Sequence, residues 1–284
     1  MGVAYLLYAS SIPNNPVTIR GVIMSAFKKS VGKFATAAAF AASVAYMPTA
    51  SAIPVALELA LIVDVSGSVN STEYNLQKLG YVQAFHNAII QANIATLTNG
   101  IAVTYIEWSG SAQQSQEVGW TLITNAAQAN AFADAVFGAT RNFSGLTAPG
   151  NAINFARSRF GTEVGGGGAA NGFESLRQVI DVSGDGVEND GVDTLTARNN
   201  ALAAGIDTIN GLAILGDPGV QAFYQNEIVG GTGAFLEIAT SFTDFAEAVE
   251  RKIGREIRVV PEPGSLALFG LVLAGLALSR RKRT

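Results

Sequence analysis

The chain has 284 residues, 49% of them hydrophobic and 14% charged, so there is ample apolar material for a sizeable core. Its charge is unevenly spread: residues 1–52 carry Arg20, Lys28, Lys29 and Lys33 without one acid, and residues 263–284 carry Arg280, Arg281, Lys282 and Arg283, again without one. Setting those eight aside leaves 10 basic and 22 acidic residues between Ile53 and Glu262, a net charge of −12 that argues against nucleic acid and anionic membrane as partners, while the absence of cysteine excludes disulfides and thiolate metal sites.

From the N-terminus, MSAFKKSVGKFATAAAFAASVAYMPTASA runs from Met24 to Ala52: a basic stretch, an apolar run, and then Ala50-Ser51-Ala52, the small-x-small pattern of a signal-peptidase site. Residues 1–52 are therefore expected to be an export signal cut after Ala52, with Met24 the natural start.

Leu57 to Val63 is continuously apolar, as a strand buried on both faces must be. Thr72 to Gln91 follows as a helix with Leu79, Val82, His86 and Ile89 on one stripe and Ser71 or Thr72 as its cap. Ile101 to Trp108 is β-branched and aromatic, hence a strand, and Trp120 to Ile123 a short edge strand. Helices are expected at 126–137 and 150–160, a strand at 177–182, a helix at 194–204 and a strand at 206–215. A helix at 220–228, a strand at 234–238 and a helix at 244–257 complete the series. Gly165 to Gly168 reads as a flexible loop. Alternation of this kind predicts an α/β fold, doubly wound, with a mostly parallel sheet and helices on both faces.

In such a sheet, ligands lie beyond the carboxyl ends of the strands where strand order reverses. The polar residues just after apolar strands are therefore the candidates. Asp64, Ser66 and Ser68 alternate after the first strand, so an extended loop turns all three side chains one way, with Gly67 letting the backbone bend between the serines. Thr147 precedes a helix start at Gly150, and Asp185-Gly186 follows the strand at 177–182. Carboxylates and hydroxyls from separate loops supply the oxygen ligands that Mg²⁺, Mn²⁺ or Ca²⁺ requires, and leave positions open for water or a ligand.

This arrangement resembles the metal-ion-dependent adhesion site of von Willebrand A domains, and the match covers roughly residues 55–258. Asp64, Ser66, Ser68, Thr147 and Asp185 fit the five-residue pattern in order. The segments EYNLQKLGYVQAF, IAVTYIEWS, RQVIDVSGDG, INGLAIL and FAEAVERKIGREI look like a bacterial von Willebrand A-like family of unknown function. One position departs: Gly184 stands where such domains usually carry Thr, which makes Asp185 the least secure of the five. The resemblance implies a cation-dependent binding domain over residues 53–258, its partner a protein or polysaccharide presenting an acidic group.

Other residues read more blandly. Asp181 lies inside a strand, where a structural partner is expected. The acidic loop 185–193 lacks EF-hand spacing. His86, the sole histidine, falls on the assigned apolar stripe, and Trp108 and Trp120 read as core. Ser66 and Ser68 have no histidine or lysine nearby to activate them, and no G-x-S-x-G elbow is present, so the chain does not read as an enzyme. A metal-dependent hydrolase, or an envelope component whose cation only stabilises loops, is the alternative.

The tail, residues 259–284, carries Pro261-Glu262-Pro263, an apolar run from Ser265 to Leu278 and the basic cluster 280–283. That run is shorter than the roughly 20 residues of a stable span, and the cluster would hold the terminus cytoplasmic. The arrangement resembles the PEP-CTERM sorting signal; an ordinary C-terminal anchor is the alternative. The resemblance implies a Gram-negative-type envelope, transient inner-membrane anchoring by the tail, and an exosortase that processes it.

Overall fold

A computed structural model describes residues 52–161 and 171–258. The expected export signal (its last residue apart), the expected sorting tail and the glycine loop 165–168 lie outside the described residues. No helix among the described residues is long and apolar enough to cross a membrane.

Two short strands, β1 (Ile53–Pro54) and β5 (Phe173–Glu174), pair in parallel. The main sheet is built on β2 (Leu57–Asp64), β3 (Ile101–Trp108), β6 (Gln178–Gly184) and β7 (Thr208–Ile214), every residue of which is buried. Its order is β4-β3-β2-β6-β7, with β4 (Gln114–Ile123) antiparallel at one edge. At the other edge β8 (Gly230–Gly231) runs antiparallel and β9 (Leu236–Ala239) parallel to β7. The chain leaves β2 toward β3 on one side and later returns to place β6 on the other. The switch point therefore lies between β2 and β6, paired in register from Glu58↔Gln178 to Val63↔Ser183.

The pleat of β2 divides the core in two. Leu57, Leu59, Leu61 and Val63 face a layer made by α1 (Ser71–His86), α2 (Ala88–Thr96), α3 (Ala126–Gly138) and α7 (Phe245–Ile257). Ala60 and Ile62 face the opposite layer, α4 (Pro149–Arg157), α5 (Thr194–Ala203) and α6 (Val220–Phe223). The fold is thus the doubly wound, mostly parallel sheet expected, with helices on both faces.

Details of the expected elements change. The helix expected over 72–91 is two helices, because Asn87 ends one and starts the next: its backbone N–H donates to the Ala84 carbonyl while its side chain accepts from Ile89 N–H at 2.8 Å and Ile90 N–H at 3.3 Å. Neither Ser71 nor Thr72 caps α1. Asn70 does, accepting from Thr72 and Glu73 N–H while Glu73 reaches back to Asn70 N–H. The buried stripe of α1 is Tyr74, Gln77, Gly80, Tyr81, Ala84 and Phe85. His86 is exposed, beside Asp134 at 3.8 Å, and Ile89 is 69% exposed. Of the stripe assigned from sequence, Leu79, His86 and Ile89 are exposed and Val82 is only partly buried against the core, while the face that α1 turns inward carries the rings of Tyr74, Tyr81 and Phe85. Past α6 the chain widens into a π turn, Tyr224–Ile228, closed by Val229 N–H on the Tyr224 carbonyl at 2.9 Å.

Candidate functional site

The ends of β2 and β6 stand side by side at the switch point, and four of the five candidate residues meet there in one hydrogen-bonded chain. Ser66 N–H donates to Asp64 Oδ1 at 2.7 Å, the Ser66 and Ser68 hydroxyls are 3.1 Å apart, and the Ser68 hydroxyl donates to Asp185 Oδ1 at 2.8 Å. Asp64, Ser66 and Asp185 are buried, whereas Ser68 is exposed, so the cluster opens to solvent beside Ser68. Asp64 Oδ2 is buried without any hydrogen-bond partner.

Thr147 stands in the neighbouring loop, 5% exposed, its Oγ1 3.5 Å from the place a Cβ on Gly186 would take. Hydrogen bonds to several segments fix that loop. Gly67 N–H donates to the Gly145 carbonyl at 2.8 Å, Gly145 N–H donates to Ser109 Oγ at 2.7 Å, and Thr147 N–H donates to Asn189 Oδ1 at 2.8 Å. Gly67 has no positive φ. Its role is close approach, since a Cβ there would sit 3.2 Å from the Gly145 carbonyl oxygen.

The electrostatics follow from burial. Desolvation, then the neighbouring Asp185 charge, pushes the Asp64 carboxyl up to about 7 against the Ser66 hydrogen bonds and Arg141, which pull it down. Burial likewise raises Asp185. Arg141 was not legible as a site residue: its Nη2 donates to the carbonyls of Val65 and Ser66, each at 2.8 Å, and so clamps the loop that carries the serines. Ser109, Asn189 and Arg141 belong to no motif. The one hint for Ser109 was its place directly after a buried strand.

The other candidates fall to structural roles. In the acidic loop, Glu188 accepts from Thr194 N–H at 2.6 Å, Asp190 from Ser111 N–H at 2.7 Å, and Asp193 caps α5 through Thr196 N–H at 2.7 Å. Asp181 pairs with Lys252 in the core. Trp108 is fully buried, and Trp120 packs on Phe160 at 5.1 Å while its Nε1–H donates to the Arg159 carbonyl at 2.7 Å. Among the described residues no group of three or more His, Cys, Asp or Glu side chains is placed to hold a metal ion. Any cation at the switch point must take hydroxyl oxygens as well as carboxylates.

Residues 54–261 match the profile of a family described as "Protein of unknown function (DUF1194)", and residues 259–282 match the PEP-CTERM protein-sorting motif. No curated protein matches the chain. Among solved structures, proximal thread matrix protein 1 from the mussel byssus is similar at 13% identity and TM-score 0.51, covering 72% of this chain and 48% of that one. The pilus adhesin SpaC from Lactobacillus rhamnosus GG is similar at 17% identity and TM-score 0.50, over 71% and 30%. A von Willebrand factor type A protein from Catenulispora acidiphila shows 13% identity and TM-score 0.47, over 71% and 43%. The chain thus spans about half or less of the length of these relatives, and for the first two the likeness is one of fold.

Proposed function

The chain belongs to the DUF1194 family and carries a PEP-CTERM sorting motif, the mark of an exported protein, and on that footing we propose that it is a cation-dependent binding module of a Gram-negative-type envelope. In this reading Asp64, Ser66, Ser68, Thr147 and Asp185 hold a divalent cation, Mg²⁺ before Mn²⁺ or Ca²⁺. The observation that carries it is the orphaned Asp64 Oδ2, a fully buried carboxylate oxygen at the end of a chain of hydroxyls. A buried acceptor without a partner is costly. A cation would satisfy it and would favour the charged forms of both Asp64 and Asp185, which burial alone disfavours. The donor set, two carboxylates and three hydroxyls, suits a hard oxygen-seeking ion and not a soft one.

When bound, such an ion is an electrophile whose remaining position takes an acidic group from a partner, a protein carboxylate or a polysaccharide uronate. Binding is favoured over catalysis by the surroundings of the serines. Their polar neighbours are carboxylates and each other, Arg141 is spent on backbone carbonyls, and His86 stands beside Asp134 on α3. The pilus adhesin among the fold-relatives is compatible with this reading but adds no ligand.

The test is titration calorimetry of the purified protein with Mg²⁺, Mn²⁺ and Ca²⁺, with protein and glycan arrays probed in Mg²⁺ and in EDTA. Saturable cation binding is expected, lost in Asp64→Ala. Array partners should vanish in EDTA, and Thr147→Ala should lose more partner than metal. A wild-type protein with no saturable cation binding, even with array ligands present, defeats the reading.

A further inference from the structure

We propose that Tyr224 is a further residue of this site, a positioning residue whose hydroxyl reaches through the space left by Gly184 to hold the free oxygen of Asp64, directly or through one water. The proposal rests on the reading of Asp64 as a cation ligand.

A Cβ built on Gly184 would lie 2.6 Å from Tyr224 Oη, 2.7 Å from Asp64 Oδ2 and 2.7 Å from Asp64 Cβ. The hydroxyl and the carboxylate oxygen thus converge on the same missing side chain, and their separation cannot exceed those two short distances laid end to end. Both atoms are buried and both lack a hydrogen-bond partner. Tyr224 is fully buried, so water at the surface does not satisfy it. A phenol is a donor and an ionised carboxylate only an acceptor, so the two orphans are complementary.

The fold makes room for this ring at two places. On β7, the strand beside β6, a Cβ on Gly211 would come within 3.1 Å of Tyr224 Cδ1. Gly184 clears the hydroxyl and Gly211 the ring edge. The π turn starting at Tyr224 fixes where the ring enters, and such widened turns recur at functional sites. A tyrosine retained only for packing would work as well as phenylalanine here. A buried hydroxyl with no partner is instead a cost that recovers its value when Asp64 is charged and needs a second donor. The hydroxyl would take one lone pair of Oδ2 and leave the other for the cation, so that it holds Asp64 in place as outer partners of metal ligands do.

The experiment compares wild type, Tyr224→Phe and Gly184→Ala, measuring Mn²⁺ affinity by calorimetry and thermal stability in EDTA. Tyr224→Phe is expected to weaken Mn²⁺ binding by about 10-fold or more while leaving the metal-free melting temperature unchanged or higher, because it deletes an unsatisfied group. Gly184→Ala, whose new methyl would meet both the Tyr224 hydroxyl and the Asp64 carboxylate, is expected to weaken Mn²⁺ as well, and wild-type affinity in that variant would overturn the convergence of the two groups on this space even if the phenylalanine variant does not fold. Wild-type Mn²⁺ affinity in Tyr224→Phe, or a lowered metal-free melting temperature with unchanged affinity, overturns the role of Tyr224 and leaves the cation site standing. Absence of Mn²⁺ binding in the wild type overturns both.

Discussion

Glu107 sits one residue before the end of β3, with Oε1 accepting from the Tyr74 hydroxyl at 2.8 Å and Oε2 buried without a partner. Burial pushes its carboxyl up to about 7; the Tyr74 hydrogen bond opposes this and the nearby Glu117 charge adds to it. A carboxyl whose folded value exceeds its unfolded one binds its proton more tightly when folded. It therefore contributes stability below its ordinary titration range and loses that contribution as pH rises through about 7. The shift corresponds to roughly 3 kcal/mol at most. Glu107→Gln keeps an acceptor for Tyr74 and cannot ionise. Its melting temperature should exceed that of wild type at pH 8 by several degrees, at roughly 2–4 °C per kcal/mol for a domain of this size, and should match wild type near pH 4. Melts of the two proteins across that range check this; a gain independent of pH would mean that packing, not ionisation, sets the difference.

At the scale of elements, α7 carries an unusual burden. Lys252 and Glu256 lie on its buried stripe, and Lys252 pairs with Asp181 of β6 and, at 3.1 Å, with Glu256. Asn210 of β7 donates to Glu256 Oε1 at 2.8 Å, so helix and sheet are joined through charges in the core. Lys252→Met leaves two acids buried without their cation, and urea unfolding should show a loss of about 3–5 kcal/mol. The triple change Lys252→Met, Asp181→Asn, Glu256→Gln removes charge on both sides and should recover most of it. A triple variant as weak as the single one would show that the network itself supplies net stability.

This element also marks where the sequence could and could not be read. β2 and β3 were legible almost to the residue because strands buried on both faces must be continuously apolar. The part of β4 from Gln114 to Gly119 was not, since an edge strand needs only one apolar face and its polar residues look like loop. The stripe of α1 was misread because Gly80 and Gln77 lie on it. Gly80 is there so that Phe245 of α7 can come within 2.7 Å of its absent Cβ, a requirement of the partner helix and not of α1. Asp64, Ser66, Ser68 and Asp185, which the structure brings together, stood out in the sequence by their places after strands, and Thr147 by its place before a helix. Arg141 and Tyr224 did not, because what recruits them is a carbonyl or a carboxylate far away in sequence.

For the whole molecule, the distribution of charge gives the last constraint. The net charge of −12 between Ile53 and Glu262 is flanked by two acid-free basic ends, which suits an acidic domain delivered outward by cationic addresses. At the front, Ile53 N–H donates to the Gly172 carbonyl at 2.9 Å and Ile53 pairs with Phe173, so a cut after Ala52 would spare β1 entirely. N-terminal sequencing of envelope material is expected to begin at Ile53, and a mature chain keeping residues 27–50 would contradict that. At the back, the match to the sorting motif over 259–282 begins just past α7. Processing near residues 261–263 would therefore separate the apolar run and the basic cluster from the folded domain without touching its core. In a tail anchored transiently in the inner membrane, the four charges at 280–283 would be the part that resists translocation, because such charges favour water on the cytoplasmic side. Replacing Arg280, Arg281, Lys282 and Arg283 with serine should weaken that hold and leave unprocessed precursor in the inner-membrane fraction. Pulse-chase immunoblotting of cell fractions reads this directly, and normal processing with normal surface delivery in the serine variant would show that the charges are dispensable for sorting.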